Sequence, residues 1–262
     1  MIYRVTFTHG PDYEFVLASV KSIARLRAWN EIAAIFLFVD PARPFSQEQY
    51  ESLKPYKCHI FPTPIVTGVF TGVSFNWSWE GFFVQLLAYR WMSMTAIIGE
   101  NDYVMRADSD TVFTSSRFLT YTKFGGHYLG KGNDRTFDTP KGPFRPTEGP
   151  CTLMKGDTFH YLTCLPAFKL ATLRNEWPGL PLVDDVIFSW LASQQASAHP
   201  SHPPITYFES KEWYTGTTVE EFTTYLGDGQ LPGPGFLFHW LGHLKHPVKP
   251  ILGSVNWLPE PA

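Results

Sequence analysis

The 262-residue chain has only three cysteines, Cys58, Cys151 and Cys164, and none stands at a CxxC spacing. That excludes a disulfide framework and a thiolate zinc site, and it predicts a reducing, cytoplasmic setting. Basic residues are not in excess, because 21 Lys and Arg against 24 Asp and Glu leave a formal charge of −3. Nucleic acid is therefore not expected as a partner. A long apolar run is also missing: the uncharged stretch 60–79 is broken by Pro62, Pro64, Gly68, Gly72 and Asn76. No transmembrane segment is expected. The opening MIYRVTFTHG lacks the apolar core of a secretory signal and reads as a first strand. Gly125-Gly126 and Gly130-x-Gly132 lack the spacing of a dinucleotide fingerprint, so an NAD enzyme is not supported.

Aromatic rings are abundant, with 22 Phe, 12 Tyr and 9 Trp. Rings in such numbers build a core and also suit flat ligands such as sugars. Apolar residues make up 44% of the chain, enough for one large core, and disorder is excluded as a global description. The 22 Pro and 20 Gly predict many ordered turns and long loops.

Strand and helix patterns alternate along the first half. Residues 3–8 read as a strand, and Val16, Val20, Ile23 and Leu26 form a helical stripe after it. The apolar run 32–39 predicts a strand buried on both faces, closed by Asp40-Pro41. A third short strand is expected within 55–64, then a Trp-rich loop. Next come a helix over 80–98, with Phe83, Leu87, Arg90 and Met94 at helical spacing, and a strand at 103–107. Beyond residue 125 the pattern loosens, with candidate strands at 127–129, 152–155 and 205–208 and a helix starting near Asp184. The alternation predicts an α/β fold with a mostly parallel sheet flanked by helices, and ligands at the carboxyl ends of the strands. No repeat or clear linker is present, so one domain is expected, with an elaborated second half.

Asp108-Ser109-Asp110 follows the strand at 103–107 directly. Two carboxylates flanking one residue at a strand end can reach one divalent cation and leave positions open for phosphate oxygens. Chance alone supplies about 0.5 such pairs in this composition, so the position after a strand carries more weight than the spacing. The second motif is His239-Trp240-Leu241-Gly242-His243-Leu244-Lys245, after the apolar 236–238. It joins a metal-ligating imidazole, a glycine permitting close backbone approach and a cation suited to a diphosphate. Chance supplies about 0.03 of these strings. His243, four residues after His239, would substitute as ligand only if the segment were helical. A third feature is the pair Asp184-Asp185 at a helix start, where capping accounts for one carboxylate and leaves the other without a structural need.

With these motifs the chain resembles the GT-A nucleotide-sugar glycosyltransferases, closest to the glycogenin-like and lipopolysaccharide galactosyltransferase group. The resemblance runs from about Tyr3 to Lys245 and departs where that group has Pro-Trp after the lysine and this chain has His246-Pro247. It implies a GT-A fold, with residues 1–124 as the nucleotide-sugar half and 125–262 as the acceptor-side half carrying the C-terminal motif. It further implies that Asp108, Asp110 and His239 hold Mn2+ (or Mg2+), with Ser109, Gly242 and Lys245 on the donor diphosphate. Tyr89-Arg90 matches a Tyr-Arg on the helix before the DxD strand, which makes Arg90 a donor contact. Thr8 and Asp40, at the ends of the first two strands, fall where such enzymes meet the base and ribose. Asp40 also reads as an ordinary turn former before Pro41. An acidic pair like Asp184-Asp185 provides the base in inverting members, with Asp185 as base and Asp184 as its partner or a sugar contact. The C-terminal motif points instead to retention, and the stereochemistry stays open.

Asn76, Trp77 and Trp79 are candidates for stacking on sugar or for sealing the following helix, and Glu148 and Trp213 are acceptor-side candidates. The expected activity is transfer of a sugar from a nucleotide-diphosphate donor, a UDP-sugar foremost, to a glycan or other hydroxyl acceptor. Two other classes fit parts of the pattern: a metal-dependent phosphohydrolase or nucleotidyltransferase, and a noncatalytic sugar-binding module.

Overall fold

The β-branched and aromatic runs at the start of the chain form neighbouring parallel strands. A computed structural model describes residues 1–63, 79–123, 126–196, 205–209, 212–216, 218–221, 223, 236–240, 245–253, 255 and 257. Within these, the side chains of residues 148, 196, 213, 214, 216, 240 and 245 are not described. Two compact units are formed, one from residues 1–62, 106–124 and 208–262, the other from 63–105 and 125–207.

In the first unit, β1 (Ile2–Thr8), β2 (Ile32–Val39) and β3 (Cys58–Pro62) pair in parallel, Val5 opposite Phe36 and Ile35 opposite Cys58. The bounds of β2 match the apolar run, and all six residues from Ala34 to Val39 are buried. α1 (Tyr13–Ala24) joins β1 to β2 and buries Val16, Val20 and Ile23, the expected stripe. α2 (Gln47–Leu53) starts with a capping box, in which Gln49 N–H donates to Ser46 Oγ and Ser46 N–H to Gln49 Oε1. A separate three-stranded sheet runs in the order β11 (Trp213–Gly216), β12 (Leu237–Trp240) and β5 (Val112–Phe113), and the short α4 (Phe118–Thr122) follows β5 in the chain. α8 (Lys245–Leu252) closes this unit, with Val248 and Leu252 in a core with Phe15, Ala18, Val112 and Phe238. Its Lys249 pairs with Glu14 at 3.0 Å and donates to the Pro11 carbonyl at 2.8 Å.

The second unit contains α3 (Trp79–Thr95), α5 (Gly156–Thr163), α6 (Ala167–Asn175) and α7 (Asp184–Ala196). Its strands β6 (Tyr128–Gly132) and β9 (Thr147–Lys155) are antiparallel, with Leu129 opposite Leu153. β10 (Ile205–Phe208) flanks β6, and β7 (Phe137–Thr139) and β8 (Gly142–Phe144) form a hairpin. β9 extends five residues before the expected 152–155, because the Gly149-Pro150 inside it reads locally as a loop. β4 (Tyr103–Ala107), wholly buried, leads into Asp108. Among the described residues no helix is long and apolar enough to cross a membrane.

Phe83, Leu87, Arg90 and Met94, which share a helical spacing, do not form the buried face of α3. Leu87 is 42% and Met94 76% exposed, whereas Phe82, Gln85, Leu86, Ala88, Tyr89 and Met92 are buried. The helix is apolar on nearly every side, so periodicity cannot choose a face. Packing chooses it: Phe82 and Tyr89 meet Phe188 at ring distances of 5.0 and 5.2 Å, and Tyr89 meets Phe159 at 5.9 Å. Ala88→Leu on the buried face is expected to lower stability by about 1–3 kcal/mol through overpacking. Met94→Lys on the outer face should stay within about 0.5 kcal/mol. Urea unfolding of both variants checks the assignment, and a larger loss in the Lys variant would reverse it.

Candidate metal and donor site

The acidic turn that follows β4 is held from below by buried polar groups of the first unit. Thr111 N–H donates to the Asp108 carbonyl at 3.3 Å, closing the turn. Ser19 of α1 donates its hydroxyl to the Thr111 carbonyl, and the fully buried Arg4 donates to Ser19 Oγ at 2.5 Å. Ser22 Oγ accepts from Phe113 N–H at 2.9 Å, and Thr6 Oγ1 donates to the Ala107 carbonyl at 2.8 Å. A turn with its main chain engaged in this way presents its carboxylates in a restricted set of directions.

The small sheet then delivers the histidine. Phe238 lies opposite Val112 and Leu237 opposite Phe113 in antiparallel register. One step further along β12, His239 comes beside the end of the acidic turn, with Nε2 3.5 Å from Asp110 Oδ1. One ligand atom each from Asp108, Asp110 and His239 lies within 4.8 Å of the other two. Two carboxylates and an imidazole converging at this spacing fit one divalent cation. Asp110 is buried, Asp108 is one-third exposed, and Arg106 Nη2 stands 3.0 Å from Asp108 Oδ1. Ser109 is buried between them and donates to Asp12 Oδ2 at 3.4 Å, and His9 Nε2 faces the same oxygen at 3.6 Å.

Thr8, at the carboxyl end of β1, has a buried Oγ1 with no hydrogen-bond partner among the described residues. Asp40 is engaged in its own turn: Oδ1 accepts from Ala42 N–H and Oδ2 from Arg43 Nε, each at 2.9 Å. Lys245 opens α8, while its side chain, Gly242 and His243 lie outside the described residues. The same holds for Asn76, Trp77 and the side chains of Glu148 and Trp213.

In the second unit, Asp184 and Asp185 form the first turn of α7, and both are buried. Gln85 Nε2 donates to Asp184 Oδ2 at 2.6 Å, and Gly149 N–H to Asp185 Oδ2 at 3.2 Å. Gly149 has φ +106°, a conformation that favours glycine and turns its amide toward α7. Arg90 donates Nε to the Thr163 carbonyl at 2.9 Å and Nη2 to the Leu165 carbonyl, at the end of α5. Trp79 is buried at the start of α3, edge-on to Trp177 at 5.2 Å, and so seals the helix and is not presented for stacking.

Two other described histidines, His160 and His127, are hydrogen-bonded. His160 meets the Ile98 carbonyl at 2.7 Å, and buried His127 meets Asp157 at 3.2 Å. Burial pushes the Asp157 carboxyl up, but His127, Lys155 and the Thr158 N–H together outweigh it and hold the pKa below the ordinary value. A depressed folded-state pKa means stability that is present above the unfolded value and lost as pH falls through the folded one. Asp157→Asn is therefore expected to cost about 1 kcal/mol at neutral pH. Urea titrations carried into acid should show that difference vanish, and a constant difference would contradict the pairing.

Sequence reasoning missed Arg4, Ser19, Ser22 and Arg106, which act through partners 15 to 92 positions away or from inside a strand. No spacing announces them; the only signal is two charged residues, Arg4 and Arg106, inside strands that otherwise read as core.

No known protein family matches the chain, and no curated protein sequence does. Solved structures do. The chain is similar to the galactosyltransferase LgtC in complex with donor and acceptor sugar analogs, at a TM-score of 0.59 and 10% identity, over 99% of this chain and 98% of that one. An active-site mutant of LgtC is similar at 0.57 and 11%, with the same coverage. At such identities the likeness concerns the fold alone. The mostly parallel central sheet flanked by helices is that of the GT-A glycosyltransferases.

Proposed function

We propose that the chain is a metal-dependent glycosyltransferase that moves a sugar from a nucleotide-diphosphate donor, a UDP-sugar, to a hydroxyl acceptor such as a glycan. The observation that carries this reading is the convergence of Asp108, Asp110 and His239 at the end of β4 in a GT-A fold. These three residues would hold Mn2+ or Mg2+, which supplies charge neutralisation to the departing diphosphate.

The chain's own groups do the rest. Gly242 lets the backbone approach the diphosphate, and Lys245 adds a cation at the N-terminus of α8, an end of a helix that favours phosphate. Thr8 Oγ1 and Asp40 border the nucleoside, Ser109 backs the donor, and Arg90 is a donor-side contact. Asp185 takes the proton from the acceptor hydroxyl, with Asp184 as its partner. Residues 1–124 form the nucleotide-sugar half and 125–262 the acceptor-side half, which also carries the C-terminal metal and diphosphate motif, within one domain. The three described cysteines are all free, which supports a reducing, cytoplasmic setting.

Thermal unfolding with UDP, GDP or CDP, each with Mn2+ or with EDTA, tests the site. A ligand at 100 times its Kd adds about 2.7 kcal/mol to the folded state. UDP with Mn2+ is expected to raise the midpoint by several degrees, and UDP in EDTA to leave it unchanged. No shift with any pair would remove the shared metal-diphosphate site.

A further inference from the structure

The second unit holds a cleft that the proposed transfer site does not use. Its volume is about 290 Å³, and it lies between the β7–β8 hairpin, the last turns of α7 and β10. None of Asp108, Asp110, Asp184, Asp185 or His239 lines it. Ser193 and Gln194, which do, follow Asp185 by at least eight residues along α7, about 12 Å at 1.5 Å per residue.

The floor of the cleft is apolar, with Phe144 and Trp190 edge to face at 4.9 Å beside Ile205. Its rim is cationic: Lys141 and Arg145 line it, and among the described residues no carboxylate does. Each cation is anchored by a neutral acceptor, which orients it without cancelling its charge. Lys141 Nζ donates to Gln194 Oε1, and Arg145 Nε to the Asn133 carbonyl at 2.6 Å.

Arg145 is also pre-organised. Its guanidinium stacks on the Tyr207 ring at 4.8 Å, and the Tyr207 hydroxyl donates back to the Arg145 carbonyl at 2.6 Å. Gly132 of β6 makes room for the pair, since a Cβ there would stand 2.8 Å from both Arg145 Cζ and Tyr207 Cδ1. A planar cation fixed over an aromatic ring loses little freedom when it binds an anion.

We propose that this cleft is an accessory binding site for a monosaccharide unit bearing a phosphate or a carboxylate. The volume lies at the low end of small-molecule sites and matches one sugar ring, not a chain. The apolar floor accepts the C–H face of the ring, and Lys141 and Arg145 take the anionic group by charge-assisted hydrogen bonds.

Titration calorimetry of the full chain in EDTA, with glucose 6-phosphate, glucuronate, glucose and inorganic phosphate, tests this. Binding of glucose 6-phosphate or of glucuronate, at least about tenfold tighter than glucose or inorganic phosphate, is expected; which of the two binds identifies the anion. The double variant Lys141→Gln/Arg145→Gln should lose that binding at least tenfold, while Asp108→Asn keeps it. Circular-dichroism melting confirms that the variants fold, and Trp190 fluorescence provides a second readout of occupancy. Four results would overturn the proposal: no binding of either charged sugar, equal binding of glucose, equal binding of inorganic phosphate, or undiminished binding by the double variant. None of these bears on the metal site, which is absent from the measurement in EDTA.

Discussion

Asp110→Asn is expected to lower the turnover of sugar transfer by about 10²- to 10³-fold, the loss found when one preorganised charge-stabilising group is removed. Asp110 is buried, and its Oδ1 stands 3.5 Å from His239 Nε2. Asn keeps the side-chain volume and one acceptor oxygen but removes a negative charge from a set of two carboxylates. The folded chain without metal should lose little stability, because the substitution also relieves repulsion between Asp108 and Asp110. The expected signature is therefore a collapse of activity and of Mn2+-dependent UDP stabilisation, with a nearly unchanged melting temperature in EDTA. Full activity with an unchanged Mn2+ requirement would remove Asp110 from the metal set.

The second large effect is expected at Asp185. Loss of a general base costs about 10²- to 10⁴-fold, and Asp185→Asn should appear in kcat with the donor KM unchanged. Asn retains the carbonyl oxygen that accepts from Gly149 N–H, so the start of α7 should survive the change. Asp184→Asn should differ, because its carboxylate is bonded to buried Gln85, and its loss falls first on packing between α3 and α7. Inversion at the anomeric carbon of the product agrees with a base at Asp185. If Asp185→Asn transferred sugar at the full rate while Asp110→Asn did not, the base assignment would fail and the metal site would stand.

Much of this was legible along the chain. The run 32–39 contains only apolar residues and could be little other than a strand covered on both faces, and β2 has those bounds. The stripe of α1 follows from its period, because Val16, Val20 and Ile23 recur at helical spacing. Asp108, Asp110 and His239 were identifiable from residue types suited to a cation, and they converge. α3 was legible as a helix but not in its orientation, since a segment apolar all round carries no phase. Trp79 was ambiguous between ligand and core for a related reason: a tryptophan's chemistry serves both, and only Trp177, 98 positions away, decides for core.

The sequence by itself determined the local elements, the alternation that makes an α/β fold and the donor atoms for a metal site, because these depend on residues within a few positions of one another. Only the tertiary structure decided how the parts meet. The register of β12 on β5 brings His239 to Asp110 across 129 positions, and Arg4 and Ser19 hold the acidic turn from another strand and helix. The cationic cleft likewise exists only where a hairpin, a helix end and a strand converge. Contacts of that range are selected by the packing of the whole core and leave no period or spacing in the chain to read.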